Sequence, residues 1–152
     1  MSFQHPFIIR AISAGLIALG LAGAASAEIV AEKAWARATP PGFSKGAVYV
    51  ELINDGRRSD VLIGVDTDRA PRAEMHRTIE EGGNSRMVHT PNVPIPAGEG
   101  VSFEPGGRHV MLMGVDEPLA EGERFTITLS TEDNGTLPIE VRVLPPTAMG
   151  ID

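Results

Sequence analysis

Between Glu74 and Val115 the chain gathers three of its four histidines and four of its six methionines. They are Met75, His76, Met87, His89, His109, Met111 and Met113. Imidazole nitrogen and thioether sulfur are both neutral donors, and a set of them suits a soft, low-valent metal ion. Thioethers select Cu(I) over the harder divalent ions, whereas protein zinc sites draw on cysteine, histidine and carboxylate. A neutral donor set leaves bound Cu(I) with one net charge, which is easier to bury than the two of Cu(II). Only the histidines compete with protons, so affinity should weaken as pH falls through about 6.5. The chain contains no cysteine. Thiolate catalysis and the blue-copper site built around a cysteine are therefore excluded.

These residues need elements that aim them at one place. In a β-strand, residues i and i+2 share a face about 6.6 Å apart. A strand over Gly107–Val115 thus projects His109 and Met111 the same way, with Met113 next in line and Val110 and Leu112 opposite. His76 and Met87 flank the Gly82-Gly83 turn and become neighbours if the segment folds as a hairpin. Together His76, Met87, His109 and Met111 give two imidazoles and two thioethers, a candidate ligand set. Met75 points away from His76 and belongs to the core. His89 and Met113 are candidates to assist the site.

The rest of the chain reads as strands. Short runs rich in Val, Ile, Leu and Thr are separated by Gly, Pro, Asn and Asp, the pattern of a sheet protein. The runs are Ile29–Ala38, Gly46–Ile53, Asp60–Asp66, Ala73–Ile79, Ser85–Thr90, Val101–Glu104, Gly107–Val115, Arg124–Thr131 and Leu137–Val143. Val93-Pro94-Ile95-Pro96 is unsuited to a central strand, because proline gives up its ladder donor. Pro118–Gly122 reads as a loop with one helical turn. Asn134-Gly135 between two alternating runs is the strongest hairpin signal, and it accounts for the glycosylation-type triplet Asn134-Gly135-Thr136. Roughly nine short strands indicate an antiparallel β-sandwich or barrel.

The ends and the charge bound the function. Residues 1–27 carry Arg10, an apolar run from Ala11 to Ala25 and a final Ala25-Ser26-Ala27, which reads as a cleaved secretory signal peptide. The apolar run is shorter than the roughly 20 residues of a membrane span. The expected layout is a leader over 1–27, one domain over 28–144, and a flexible tail over 145–152. Without the leader, 12 basic residues face 20 acidic ones, a formal charge of −8. Such a surface argues against nucleic acid or an anionic membrane as partner. No nucleophile elbow or phosphate-binding loop is present, Gly98-Glu99-Gly100 lacks the strand–helix context, and Glu80-Glu81 sits in a turn.

The spacing then resembles a known family. His76 and Met87 are separated by ten residues, Met87 and His109 by twenty-one, and His109-Val110-Met111 closes the pattern. This is similar to the His-x10-Met-x21-His-x-Met motif of the periplasmic copper chaperones of the PCuAC type. The resemblance extends to Trp35–Gly42, Gly46–Tyr49, Ile95–Gly98 and Pro105–Gly114, and so covers nearly all of the mature chain. It implies a cupredoxin-like antiparallel β-sandwich or Greek-key barrel of about eight to nine strands. It also implies that one Cu(I) is bound near the surface by His76, Met87, His109 and Met111, with Cu(II) as an alternative occupant. The recipient implied is the copper site of a membrane oxidase, with a thiol-bearing copper carrier as a second partner. Two departures stand out. Arg77-Thr78 follow the first histidine where many members have Glu-Met, and Met149 is alone in a tail that elsewhere is rich in His and Met.

The expectation is thus a monomeric, periplasmic, non-enzymatic copper carrier. Two alternatives remain: a secreted β-sandwich interaction module whose Met/His cluster is core or docking patch, and a copper buffer without a dedicated recipient. A copper oxidoreductase is disfavoured, because no acid or base stands on the substrate side.

Overall fold

The computed structural model describes residues 28–151, and the expected leader lies outside them. Those residues form ten strands and no helix. In chain order they are β1 (Ile29–Arg37), β2 (Lys45–Asn54), β3 (Asp60–Asp66), β4 (Arg72–Glu81), β5 (Asn84–His89), β6 (Val93–Ile95), β7 (Gly100–Phe103), β8 (Arg108–Met113), β9 (Arg124–Thr131) and β10 (Gly135–Leu144). Alternation in the sequence becomes alternation in burial. Phe125, Ile127 and Leu129 of β9 and Ile139, Val141 and Val143 of β10 are buried while their neighbours Glu140 and Arg142 face solvent. These side chains join Val48, Val50 and Leu52 of β2, Leu62 of β3 and Val110 and Leu112 of β8 in one core.

The hydrogen-bonded order is β5-β4-β8-β7-β2-β1-β10-β9-β3-β6, with β8 also paired to β2. The ladder folds over so that β3 lies against β4, and Leu62 and Met75 share the core. Its two ends, β5 and β6, are not paired with each other, which makes an open sandwich and not a closed barrel. The expected β-sandwich is present, with one strand more than the nine runs suggested. The addition is Val93–Ile95, paired to β3 and forming an edge. Pro94 fits there because an edge strand has one side with no donor to supply. Pro118–Ala120 is irregular and leads into a turn, in place of the helical turn expected.

Most pairings are antiparallel, but β7 and β8 meet in parallel at Phe103 and Arg108, and β1 and β10 run parallel, with Trp35 opposite Arg142 and Ala36 opposite Val143. Strand β1 pairs with β2 along its first part, shifts register between Glu32 and Trp35, and then holds β2 and β10 at once. Lys33 lies in that shift with φ of 52°. It marks a bulge, where one extra residue bends the strand and increases its twist.

The hairpin that carries the site is set by its turn. Gly82 and Gly83 have φ of 61° and 81°. Two consecutive positive φ values match the twist of the flanking strands, and glycine adopts them without a steric penalty. The turn fixes Glu81 opposite Asn84, and the pairing runs on to His76 opposite His89.

Two buried polar side chains pin the far end of the sandwich. Asp60, 2% exposed, accepts from the backbone N–H groups of Val61 (2.7 Å) and Asp133 (3.0 Å) and from Asn134 Nδ2 (2.6 Å). Burial works against its charge, but these hydrogen bonds and one from Thr131 outweigh it and hold the carboxyl below the usual range. Asn54 donates to the carbonyls of Arg58 (2.8 Å) and Ile95 (3.0 Å), tying β2 to β6.

Candidate metal centre

Strand β4 is paired on both sides, and that puts a row of imidazoles across three strands. His76 stands opposite His89 on β5 and opposite His109 on β8. Directly opposed residues in antiparallel strands project from the same face. The ring centroids are 5.7 Å apart for His76 and His89, and 5.8 Å for His76 and His109. Burial grades along the row: His109 is 4% exposed, His76 is half-buried and His89 is exposed.

The methionines divide by strand parity. Met111 shares the face of His109 two residues on, opposite Glu74. Met87 shares the face of His89 and stands opposite Thr78. The two thioethers therefore lie at opposite corners, with His76 between them. Met87 is 57% exposed and has three rotatable bonds, so its sulfur must swing inward over His76 to share an ion with Met111. Met75 faces the other way and is buried in the core as expected, at 3% exposure. Met113 is on the same face as His109 and Met111, but its sulfur lies 3.2 Å from Arg72 Nη2, which donates to it.

A carboxylate stands beside the row. Glu74 Oε2 is 3.0 Å from His76 Nε2, and Glu74 Oε1 is 3.3 Å from Arg72 Nε. The hydrogen bond from His76 lowers the Glu74 carboxyl, desolvation partly opposes this, and Arg72 adds to the lowering. His109 Nδ1 is 3.4 Å from the carbonyl of Gly107. Burial pushes the His109 imidazole down, the Gly107 carbonyl pulls it up, and the charge of His76 adds to the lowering. His109 is thus held neutral, the form that donates a lone pair. The remaining nitrogens, His76 Nδ1 and His109 Nε2, are buried and have no hydrogen-bond partner.

Among the described residues no group of three or more His, Cys, Asp or Glu is placed to hold an ion. The imidazoles of His76 and His109 instead share their face with the thioethers of Met87 and Met111. Sequence reading missed Glu74 and Arg72. The signal was present as Arg72-x-Glu74-x-His76, three polar residues on one strand face.

A family model described as LpqE-like, a lipoprotein family, matches residues 29–143. A Leifsonia xyli protein with a lipoprotein name is 31% identical over 150 residues, 90% of this chain and 89% of that protein. An uncharacterised Rickettsia prowazekii protein is 34% identical over 113 residues, 72% of this chain and 62% of its own. Among solved structures, the apo PCuAC domain of PmoF2 has a TM-score of 0.68 at 26% identity, covering 84% of this chain and 98% of that one. The copper-bound PCuAC domain of PmoF2 has a TM-score of 0.66 at 26% identity, covering 78% and 93%. The Cu(I) form of DR1885 from Deinococcus radiodurans has a TM-score of 0.64 at 32% identity, covering 86% and 87%. The cupredoxin-like sandwich implied by the resemblance is the fold these domains share.

Proposed function

The chain belongs to the LpqE-like family and is a PCuAC-type domain, and from that premise we propose that it is a copper chaperone carrying one Cu(I) on His76, Met87, His109 and Met111. One observation carries the reading. His76 and His109 are adjacent, each has a buried ring nitrogen without a partner, and both share a face with the thioethers of Met87 and Met111. Buried polar atoms are ordinarily paired, and an unpaired one calls for an explanation such as an absent ion. Copper is the cargo in this reading, and two relatives of the same fold are solved with it bound.

The donor set decides the oxidation state. Two imidazoles and two thioethers are neutral and favour the singly charged, softer ion. The protein acts as a carrier and not as a catalyst. It is exported to the periplasm, and it hands Cu(I) to the copper site of a membrane-bound respiratory oxidase, alone or with a thiol-bearing copper carrier. The exposed Met87 on an edge strand is the side from which an incoming ligand can replace a donor.

Titration of the protein with Cu(I) against a competing chelator tests the binding. One equivalent is taken up, and His109→Ala and Met111→Ala each weaken binding at least about tenfold, the cost of about 1.4 kcal/mol. Unchanged affinity in both variants would sink the ligand assignment. A folded chain without Cu(I) uptake or a copper-dependent rise in Tm would indicate an interaction module instead. Tight binding with no transfer to an apo oxidase fragment would indicate a copper buffer.

A further inference from the structure

The hydrogen bonds around the two histidines differ in kind, and the difference says which nitrogens meet the ion. A carboxylate and a carbonyl oxygen can only accept. His76 Nε2 therefore carries its hydrogen toward Glu74, at 3.0 Å, and His109 Nδ1 carries its hydrogen toward Gly107, at 3.4 Å. What remains bare is Nδ1 on His76 and Nε2 on His109, the two nitrogens that are buried and unpartnered. We infer that the protein holds its ion through opposite ring nitrogens, Nδ1 of His76 and Nε2 of His109, and that Glu74 is the positioning residue that sets His76 for this. The inference rests on the copper-carrying reading and assigns atoms within it.

Glu74 suits the part. Metal-bound histidines ordinarily donate their second N–H to a carboxylate or a carbonyl, which fixes ring orientation and raises donor strength. Here one histidine has each kind of acceptor. Glu74 reaches His76 along a single strand face, two residues away, so the hold is local and survives motion of β5. Its other oxygen pairs with Arg72, which also donates to the Met113 sulfur. That arrangement occupies Met113 and leaves Met111 as the free thioether of β8. The Arg72–Glu74 pair is mostly exposed on the arginine side and contributes little by itself. The hold on His76 is what matters.

Nitrogen-15 spectra of the imidazoles, with and without one equivalent of Cu(I), test this. In the apoprotein His109 appears as the Nδ1–H form and His76 as the Nε2–H form. On loading, only His76 Nδ1 and His109 Nε2 move to metal-bound positions. Glu74→Ala weakens Cu(I) binding about tenfold or more, and Glu74→Gln, whose amide oxygen still accepts from Nε2, recovers most of the loss. His76 bound through Nε2, or Glu74→Ala binding as tightly as the parent, overturns the inference while the carrier function stands. Failure of the parent protein to take up Cu(I) removes both together. A folded Glu74→Ala variant is verified by its unchanged melt, so weaker binding is not mistaken for unfolding.

Discussion

Met75 and Met87 are the same residue type on neighbouring strands, and they have opposite chemistry. Met75 fills the core at 3% exposure, and Met87 projects from an edge at 57%. Truncating Met75 to Ala costs about 2–5 kcal/mol of stability without removing a donor. Met87→Leu leaves the apoprotein's stability within about 0.5 kcal/mol but weakens Cu(I) binding. Melting curves alongside chelator competition separate the two effects, and a stability loss in Met87→Leu would argue that this side chain packs. His109 gives a pH signature of its own. Its folded imidazole is held neutral below the usual value, so the unfolded chain binds the extra proton first. The apoprotein is therefore destabilised as pH falls from about 6.5 toward the lowered folded value, and above about 6.5 this contribution is constant. His109→Phe flattens that limb of a plot of Tm against pH; an unchanged slope would show that His109 is not its source.

At the scale of elements, parity within a strand was the legible part. His109 and Met111 share a face and Val110 and Leu112 the other because alternation is a property of one strand. Asp60 shows what a strand alone does not tell. In the sequence it is an acidic residue at a strand start, yet it binds β3 to the turn between β9 and β10, more than seventy residues away. Replacing it with Ala strands several donors and costs about 1–3 kcal/mol or more, read as a lower denaturation midpoint. Its stabilising effect in the parent is present above the ordinary carboxyl pKa of 3.8 and lost as pH falls through the lower folded value. The parallel pairing of β1 with β10 had no local signal, since it joins the two ends of the domain. Strand β6 was hidden by Pro94, which an edge tolerates. Glu74 was overlooked although its spacing puts it on the strand face of His76; that the carboxylate reaches the ring is set by side-chain conformation, which spacing does not encode. Gly114 illustrates a local constraint. It has φ of 80°, and an added Cβ would lie 2.7 Å from Pro71 Cγ. Gly114→Ala thus combines a strained backbone with a clash and destabilises by about 1–3 kcal/mol, which thermal unfolding of the apoprotein measures. No loss would mean that the loop to β4 yields.

At the scale of the whole molecule, an ion bound by the native state alone adds RT ln(1 + [L]/Kd), about 4 kcal/mol at a free concentration a thousand times Kd. That gain is not spread evenly. The sheet ends at β5, which has β4 as its sole neighbour and whose residues are mostly exposed. Three of the four proposed donors sit on β4 and β8, and the fourth, Met87, is on this last strand. An outermost strand opens at lower free energy than the core strands behind it. In the apoprotein the amides of β5 therefore exchange with solvent hydrogen fast, and Cu(I) slows them more than those of β9 or β10. On the proposed ligand set, peeling back β5 would withdraw one thioether and leave three donors on β4 and β8, so the opening of a six-residue edge strand is the step expected to pace delivery of the ion.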